Sequence, residues 1–295
     1  MQYRTDLAME AREIYSPAEG VEYSEEQQGD VTVTRLEVQT DSGAEAMGKP
    51  KGKYITVQMP PLTDSAFMPD KRFEAVSGEI LAMLPDEGKK LEGLVLVVGL
   101  GNRAITPDAL GPRVAQQVLA TRHISDELRR SAGFDGLRPT AVLAPGVLGQ
   151  TGIEVCELIR TLCDDLKPDA VIVIDAMASR KLSRLGCTVQ ISDAGISPGA
   201  GVGNNRPKIN SEALGVPVIA VGIPTVVEAE TLANDLVSQS NNEEISEKVS
   251  PRGAAMIVTP REIDLLIDRA SRLLALSINA ALHPTIDPLD LLAAV

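Results

Sequence analysis

Short apolar runs, separated by segments with helical spacing, organise the middle of the chain. Leu94–Leu100 is a continuous apolar run, too short to favour a helix and bounded by glycines, which is typical of a strand buried on both faces. Four more runs follow, at Thr140–Leu143, Ala170–Ile174, Cys187–Ile191 and Val216–Val221. Helical patterns occupy Ala109–His123, Gly152–Leu166 and Pro224–Val237. This alternation predicts an α/β fold with a mostly parallel sheet flanked by helices.

The first 92 residues follow a different pattern. Residues 1–25 are polar and acidic, and we expect no regular structure there. Val31–Val38 and Tyr54–Met59 are short β-rich runs separated by glycines, which indicates antiparallel or edge strands. Phe73–Leu84 has helical spacing. We therefore predict that residues 7–92 form a small N-terminal antiparallel β extension of an α/β core at 93–237.

The end of the chain is predicted to be a linker followed by a helix. Residues 238–252 are polar and rich in turn-forming residues, which favours a linker. Residues 253–295 carry the clearest helix start in the sequence. It combines an N-cap, a first-turn proline and a capping-box acid, at Thr259, Pro260 and Glu262. His283 ends this helix, and we expect it at the surface.

The composition excludes several classes of function. The chain has 295 residues and a formal net charge of −13, so its surface repels DNA phosphates and anionic membranes. Aromatic residues make up 2% of the chain, which argues against base stacking. No 18-residue apolar stretch and no secretory signal are present, and the three cysteines fit reduced thiols. We expect a cytoplasmic protein with no direct nucleic-acid partner and no membrane span.

Metal, serine-nucleophile and dinucleotide sites are not predicted. The chain has only two histidines, no Cys/His cluster and no G-x-S-x-G elbow. The loop Gly99–Ala104 fits the dinucleotide fingerprint G-x-G-x-x-A, which requires a helix that begins at once. Pro107 disfavours helical geometry just before it, and no acid ends the second strand. We expect no metal and no cofactor, and a nucleotide-binding module using this loop is kept as an alternative.

Two aspartates follow the first and third strands of the predicted sheet. Asp108 begins the helix after the first strand, and Asp175 ends the third. In a doubly wound sheet of order 2-1-3, these strands are neighbours, so both carboxyls meet at the crevice beyond the strand ends. Two close carboxyls ionise at different pH, so one can act as acid and the other as base on a water. The alternatives are structural: a first-turn Asp that stabilises a helix, and an Asp that caps a turn.

Six segments of the chain resemble the germination proteases, a family of atypical aspartic-type endopeptidases. These segments are Val97–Asn102, Thr106–Pro112, Ala144–Glu154, Val173–Ala176, Ile191–Asn204 and Val221–Val226. The resemblance runs from Arg4 to about His283. It implies a fold similar to that of hydrogenase maturation proteases, and it implies catalytic roles for the two aspartates, which match family positions at Asp108 and Asp175.

The resemblance also implies substrates, assembly and processing. Family members cut small acid-soluble spore proteins during germination, which implies a location in the spore core, and they assemble as homotetramers. They are made as zymogens that cut themselves at an acid followed by a large apolar residue, Ala and a later acid. Because Arg4–Glu10 matches this pattern, we predict self-cleavage between Asp6 and Leu7. Residues 1–6 are then a propeptide, and 7–295 form a single peptidase domain.

An acid before the cut bond requires a cationic subsite, and Arg180 is our first candidate for it. The weaker candidates are Arg122 and Lys208, and the alternative for each cation is an ordinary surface charge. We predict that Asn102 shapes the site and that Asp193 positions substrate. The glycine-rich stretch Ser192–Asn205 either supplies an oxyanion-type pocket or is a loop that needs glycine for its turns. A metal-dependent peptidase of the hydrogenase-maturation type is the second alternative for the whole chain.

Overall fold

One mixed sheet organises the part of the chain described by the structure, a computed structural model. It describes residues 5–14, 19–64, 69–85, 93–125, 127, 131, 137–199, 206–238 and 256–294. Nine strands of these residues join the sheet, in the order β1-β2-β3-β7-β8-β6-β4-β5 with β9 beside β8. The strands are β1 (Val21–Gln28), β2 (Val31–Val38), β3 (Gly52–Gln58), β4 (Val95–Gly99), β5 (Thr140–Leu143), β6 (Ala170–Ala178), β7 (Thr188–Ser192), β8 (Val218–Glu228) and β9 (Ile257–Val258).

The four strands β5, β4, β6 and β8 are parallel and form one half of the sheet. The first three of them have the predicted order 2-1-3, and the predicted α/β fold is confirmed. Strands β4 and β6 end side by side, with Gly99 paired to Ile174 and the Leu100 N–H donating to the Ile174 carbonyl at 2.8 Å. The loops that follow these two strands therefore begin next to each other.

The antiparallel strands β1, β2, β3 and β7 continue the same sheet as its other half. The expected strands near Val31–Val38 and Tyr54–Met59 are present. The expectation of no regular structure in residues 1–25 is wrong, since β1 and a helix at Ala8–Ile14 lie there. Strand β1 is polar on both faces because it is an exposed edge strand, and its pairing depends on the tight turn at Gly29.

Helices cover both faces of the sheet. They are α1 (Ala8–Ile14), α2 (Asp41–Met47), α3 (Lys71–Met83), α4 (Leu110–Ala115), α5 (Leu148–Thr151), α6 (Val155–Leu166), α7 (Ser211–Leu214), α8 (Ala229–Ser238), α9 (Ile263–Leu282) and α10 (Pro288–Ala294). Helices α3, α4 and α9 pack on the face that holds Ile172 and Ile174, and α6 and α7 pack on the face of Val171 and Val173. Since strand side chains alternate, Asp175 lies on the second face.

Several predicted helix ends differ from the structure. Helix α4 ends at Ala115, well before His123, and β8 runs through Pro224 to Glu228 before α8 begins. Helix α9 begins at Ile263 without a side-chain cap, because the Thr259 hydroxyl donates to the Thr225 carbonyl instead. His283 is fully buried because α9 is a core helix, so its predicted surface position is wrong. Most of the predicted linker at 238–252 lies outside the described residues.

Candidate active site

Asp175 is a buried carboxyl near the carboxyl end of β6. Its side chain is 6% exposed, and the neighbouring Ala176 N–H donates to its Oδ1 at 2.9 Å. Burial raises the pKa of Asp175 well above its ordinary value, and the negative charges of Asp108 and Asp6 raise it further. Asp175 is therefore the group of this site that most readily holds a proton.

Asp108 lies in a 3₁₀ turn, Thr106–Asp108, wrapped by the glycine-rich loop after β4. The Asn102 N–H donates to Asp108 Oδ2 at 2.7 Å, which lowers the pKa of Asp108, but burial has the larger effect and raises it. Gly101 has φ +117, and a Cβ there would approach the Asp108 carbonyl oxygen to 2.0 Å, so only glycine fits. The loop that matched a dinucleotide fingerprint thus holds a carboxylate of the chain itself.

Both aspartates line one cavity of about 450 Å³. Asn102 lines it too, and its side-chain Oδ1 accepts from Gln150 at 2.8 Å. Much of the remaining wall is apolar, from Ile105, Pro107, Val147, Leu148, Ile196, Pro198 and Ile257. A pair of carboxyls with raised pKa values in a mainly apolar cavity can exchange protons with a bound water or amide.

The segment of residues 5–8 reaches this cavity through Asp6. The Asp6 N–H donates to the Ala178 carbonyl at 2.9 Å, and the Ala178 N–H donates to Asp6 Oδ2 at 2.8 Å. Ala178 follows a register shift in the pairing of β6 with β8, which turns its backbone groups toward the N-terminal segment. Burial raises the pKa of the Asp6 carboxyl against the effects of this hydrogen bond and of the Lys49 charge. Asp6 itself lines the cavity of the two aspartates.

The peptide bond from Asp6 to Leu7 is held by two side chains. Lys49 Nζ donates to the Asp6 carbonyl oxygen at 3.0 Å, and Gln190 Nε2 donates to the same oxygen at 2.9 Å. The Ala8 N–H donates to Gln190 Oε1 at 2.7 Å, and Leu7 and Ala8 are fully buried. Burial lowers the pKa of the Lys49 ammonium, against the charges of Asp6 and Glu10.

Glu10 anchors the segment further along. Its carboxylate is fully buried and accepts from the backbone N–H groups of Arg180 at 2.7 Å and Lys181 at 2.9 Å. The Thr5 hydroxyl donates to the same carboxylate. The acid, apolar residue, Ala and later acid of the predicted cleavage pattern are all in contact with the body of the protein.

The structure brings Asp108, Asp175, Asn102 and Asp6 together but keeps Arg180 and Asp193 out of this cavity. The Arg180 backbone binds Glu10, and Asp193 Oδ1 accepts from the Lys53 N–H at 2.6 Å, at the start of β3. Their assignment to substrate binding stays a prediction. Of the weaker cations, Arg122 is exposed, while Lys208 lines a neighbouring cavity that also contains Lys49 and Gln190.

Three contacting groups were missed from the sequence: Lys49, Gln190 and the backbone of Ala178. Gln190 carried a signal, because it is a polar residue inside the apolar run Cys187–Ile191 and is 4% exposed. Lys49 carried none. Of the glycine-rich stretch after β7, Ser197–Gly199 line the main cavity, and residues 200–205 lie outside the described part of the chain.

Two features of the described residues concern metal binding and membrane spanning. These residues contain no group of three or more His, Cys, Asp or Glu side chains placed to hold a metal ion. Among the same residues, no helix has both the length and the apolar character needed to cross a bilayer.

Comparison with known proteins decides the family. The family model of the germination proteases, peptidase family A25, matches residues 2–240. The chain belongs to the germination protease family. Membership confirms the predicted resemblance and identifies the chain as a peptidase of spore germination.

Individual germination proteases match over nearly their whole length. The germination protease of Caldanaerobacter subterraneus subsp. tengcongensis is 44% identical, over 95% of this chain and 94% of that protein. That of Clostridium perfringens is 43% identical over 95% of both chains, and that of Priestia megaterium is 35% identical over 96% and 94%. A solved [NiFe] hydrogenase maturation protease, HycI from Thermococcus kodakarensis, covers 62% of this chain and 93% of its own, with 16% identity and a TM-score of 0.32.

Proposed function

We propose that this germination protease is an aspartic-type endopeptidase, made as a zymogen, that first cuts itself between Asp6 and Leu7. The observation that carries the proposal is the position of Asp6, which lines the cavity of Asp108 and Asp175 and is hydrogen-bonded to Ala178 of β6. Because Asp6 is held there, the peptide bond that follows it is presented to the two carboxyls as a substrate bond would be. Cleavage releases residues 1–6 and leaves 7–295.

The two carboxyls divide the chemistry. Asp108, as carboxylate, takes a proton from a water whose oxygen attacks the Asp6 carbonyl carbon. Asp175, whose pKa is raised further by burial and by its acidic neighbours, gives its proton to the Leu7 nitrogen as the carbon–nitrogen bond breaks. The products are a new carboxylate at Asp6 and a new amino terminus at Leu7.

The substrates proposed for the processed enzyme are small acid-soluble spore proteins, cut in the spore core during germination. The same acid, apolar residue and Ala pattern would then be presented by another chain to the same cavity. Asn102 is proposed to shape the site, and Arg180 and Asp193 keep their predicted roles in substrate binding. Homotetramer assembly, expected from the family, is proposed for this chain as well.

The test is to replace each carboxyl separately, as Asp108→Asn and Asp175→Asn, in the full chain. Each variant is expected to slow self-cleavage by about 10³-fold or more, since acid–base groups contribute about 10²–10⁴-fold each. The measurement is the intact mass over time, which reports loss of residues 1–6, together with cleavage of a spore-protein substrate. Asp30→Asn, at an exposed turn, is the matched control. Wild-type processing by either active-site variant, or a different first cut, contradicts the proposal.

A further inference from the structure

The carbonyl oxygen of Asp6 receives two hydrogen bonds from side chains that belong to neither carboxyl. Lys49 Nζ lies 3.0 Å from it and Gln190 Nε2 lies 2.9 Å from it. A peptide carbonyl held only for docking needs one donor, and backbone N–H groups usually supply it. Two side-chain donors on one oxygen, one of them an ammonium, make an arrangement suited to an oxygen that becomes negatively charged.

The sheet places Gln190 on the same face as Asp175. Gly222 of β8 is paired with Asp175 of β6 on one side and with Gln190 of β7 on the other. Directly paired residues point to the same face of a sheet, so Asp175 and Gln190 project together, with Cα atoms about 10 Å apart across two strand spacings. Gly222 between them has no side chain, and the Met177 side chain packs over it, with Cε 2.6 Å from where a Cβ would stand.

Both donors are held in place by the fold. Gln190 is buried in β7 and spans the cut site, since its Nε2 binds the Asp6 carbonyl and its Oε1 binds the Ala8 N–H. Lys49 follows the left-handed Gly48 that ends α2, and its own N–H donates to the Ala44 carbonyl at 3.2 Å. Lys49 also donates to the Thr5 carbonyl at 3.1 Å, which fixes the ammonium beside the bond.

We propose that Lys49 and Gln190 are catalytic residues of self-cleavage that bind the Asp6 carbonyl oxygen and stabilise the negative charge it acquires when water adds. The proposal rests on the proposed cut between Asp6 and Leu7. Water forms a bond to the carbonyl carbon and loses its proton to one carboxyl, while the carbonyl oxygen takes the electron pair. The Lys49 ammonium and the Gln190 amide donate to that oxygen until the carbon–nitrogen bond breaks and the Leu7 nitrogen takes a proton from the other carboxyl.

The experiment compares Lys49→Met and Gln190→Met with matched controls in the full chain. Lys53→Met removes an exposed lysine of β3, and Gln117→Met removes an amide that binds the Arg113 carbonyl and Ser271 on the opposite face. Loss of one oxyanion donor costs about 10²–10³-fold, so we expect each test variant to process about 100-fold more slowly than its control. Lys49→Arg keeps a cationic donor and is expected to recover part of the rate.

A second measurement separates charge stabilisation from docking. In an Asp175→Asn background, where the cut is expected to be slower by about 10³-fold or more, hydrogen exchange at the Ala8 amide reports whether the segment is bound to Gln190. We expect Lys49→Met to leave this protection in place while it slows the cut in the otherwise native chain. Protection lost in parallel with the rate would show that Lys49 only docks the segment, and would overturn its part of the proposal.

The outcomes distinguish this proposal from the proposed function. If Asp108→Asn and Asp175→Asn stop the cut while Lys49→Met and Gln190→Met process within about threefold of their controls, only the carbonyl-binding role fails. If the native chain is never cut between Asp6 and Leu7, the proposed function fails first. Should Gln190→Met not fold, Lys49→Met, Lys49→Arg and the exchange measurement still decide the lysine's role.

Discussion

The two halves of the sheet contribute different parts of one site. The parallel half, β5-β4-β6-β8, carries both carboxyls at or just beyond its strand ends, as α/β folds commonly do. The antiparallel half carries Gln190 on β7 and Lys49 before β3, and these hold the segment that the carboxyls face. In the proposed mechanism the parallel half supplies the proton chemistry, while Gln190 and Lys49 of the antiparallel half bind the carbonyl of the cut bond. A site built from both halves requires that the two halves keep a fixed position relative to each other.

Strand β8 joins the halves, and Gly222 is the residue where they meet. A Cβ at this position would approach Met177 Cε to 2.6 Å and the Asp175 carbonyl oxygen to 2.7 Å. We expect Gly222→Val to displace Met177, which lines the cavity of Asp6 and Gln190, and to reduce self-cleavage by more than about 100-fold. Overpacking of this kind also costs about 1–3 kcal/mol of unfolding free energy. Processing rate and denaturant unfolding measure the two effects.

The control for this substitution is Gly78→Val, in α3, where a Cβ meets no atom within 4 Å. It changes the same residue type without touching the junction, and the processing rate should stay at the native value. If Gly222→Val processed itself as fast as Gly78→Val, close packing at β8 would not matter for the cut. The inference that both halves of the sheet must be held together there would then be wrong.

The parallel half was largely predictable, because its strands are apolar runs whose period and spacing determine a β/α alternation. Asp175 was visible as an acid at the end of such a run, and the order 2-1-3 placed it beside the loop of Asp108. The antiparallel half was only partly predictable. Strand β1 has no apolar face to reveal it, and α1 is short. Lys49 and Gln190 act through contacts with residues more than 40 positions away, which no local pattern encodes.

The cation predicted for the acid before the cut bond illustrates this limit. Charge complementarity favoured Arg180, which lies in the loop after β6. In the structure, backbone N–H groups bind the two acids instead: Ala178, the last residue of β6, binds Asp6, and Arg180 and Lys181 in the loop bind Glu10. Backbone donors carry no residue signature, so a sequence reveals the acids but not the groups that receive them.

The backbone contacts of Glu10 give the second prediction. Glu10→Gln removes the charge from two charge-assisted hydrogen bonds and places an amide against one of the N–H donors. Such bonds contribute about 1.5–3 kcal/mol, so the segment should leave its site more often and self-cleavage should slow about tenfold. The intact-mass time course measures this rate.

Glu22→Gln, on the exposed strand β1, is the matched control for the loss of one carboxylate. Equal rates for Glu10→Gln and Glu22→Gln would mean that the contacts of Glu10 with the loop after β6 do not affect the cut. The segment would then be positioned by its contacts with Ala178, Lys49 and Gln190 alone.

The smallest effect is on stability, and it is expected to have opposite signs at Asp175 and at Glu13. Burial, Asp108 and Asp6 raise the pKa of Asp175, so its ionisation as pH rises above the ordinary carboxyl range destabilises the folded state. Asp175→Asn should therefore raise Tm near pH 7, by about 2–4 °C per kcal/mol, and the gain should vanish in acid.

Glu13 in α1 is expected to show the opposite sign. Burial raises its pKa, but the hydrogen bonds and charges of Lys181 and Arg184 together have the larger effect, so the net pKa is lowered. Glu13→Gln should therefore lower Tm at pH 7 and lose its effect in acid. Thermal unfolding between pH 3 and 8 tests both predictions. Tm shifts of the same sign at pH 7 would contradict the opposite directions of the two pKa shifts.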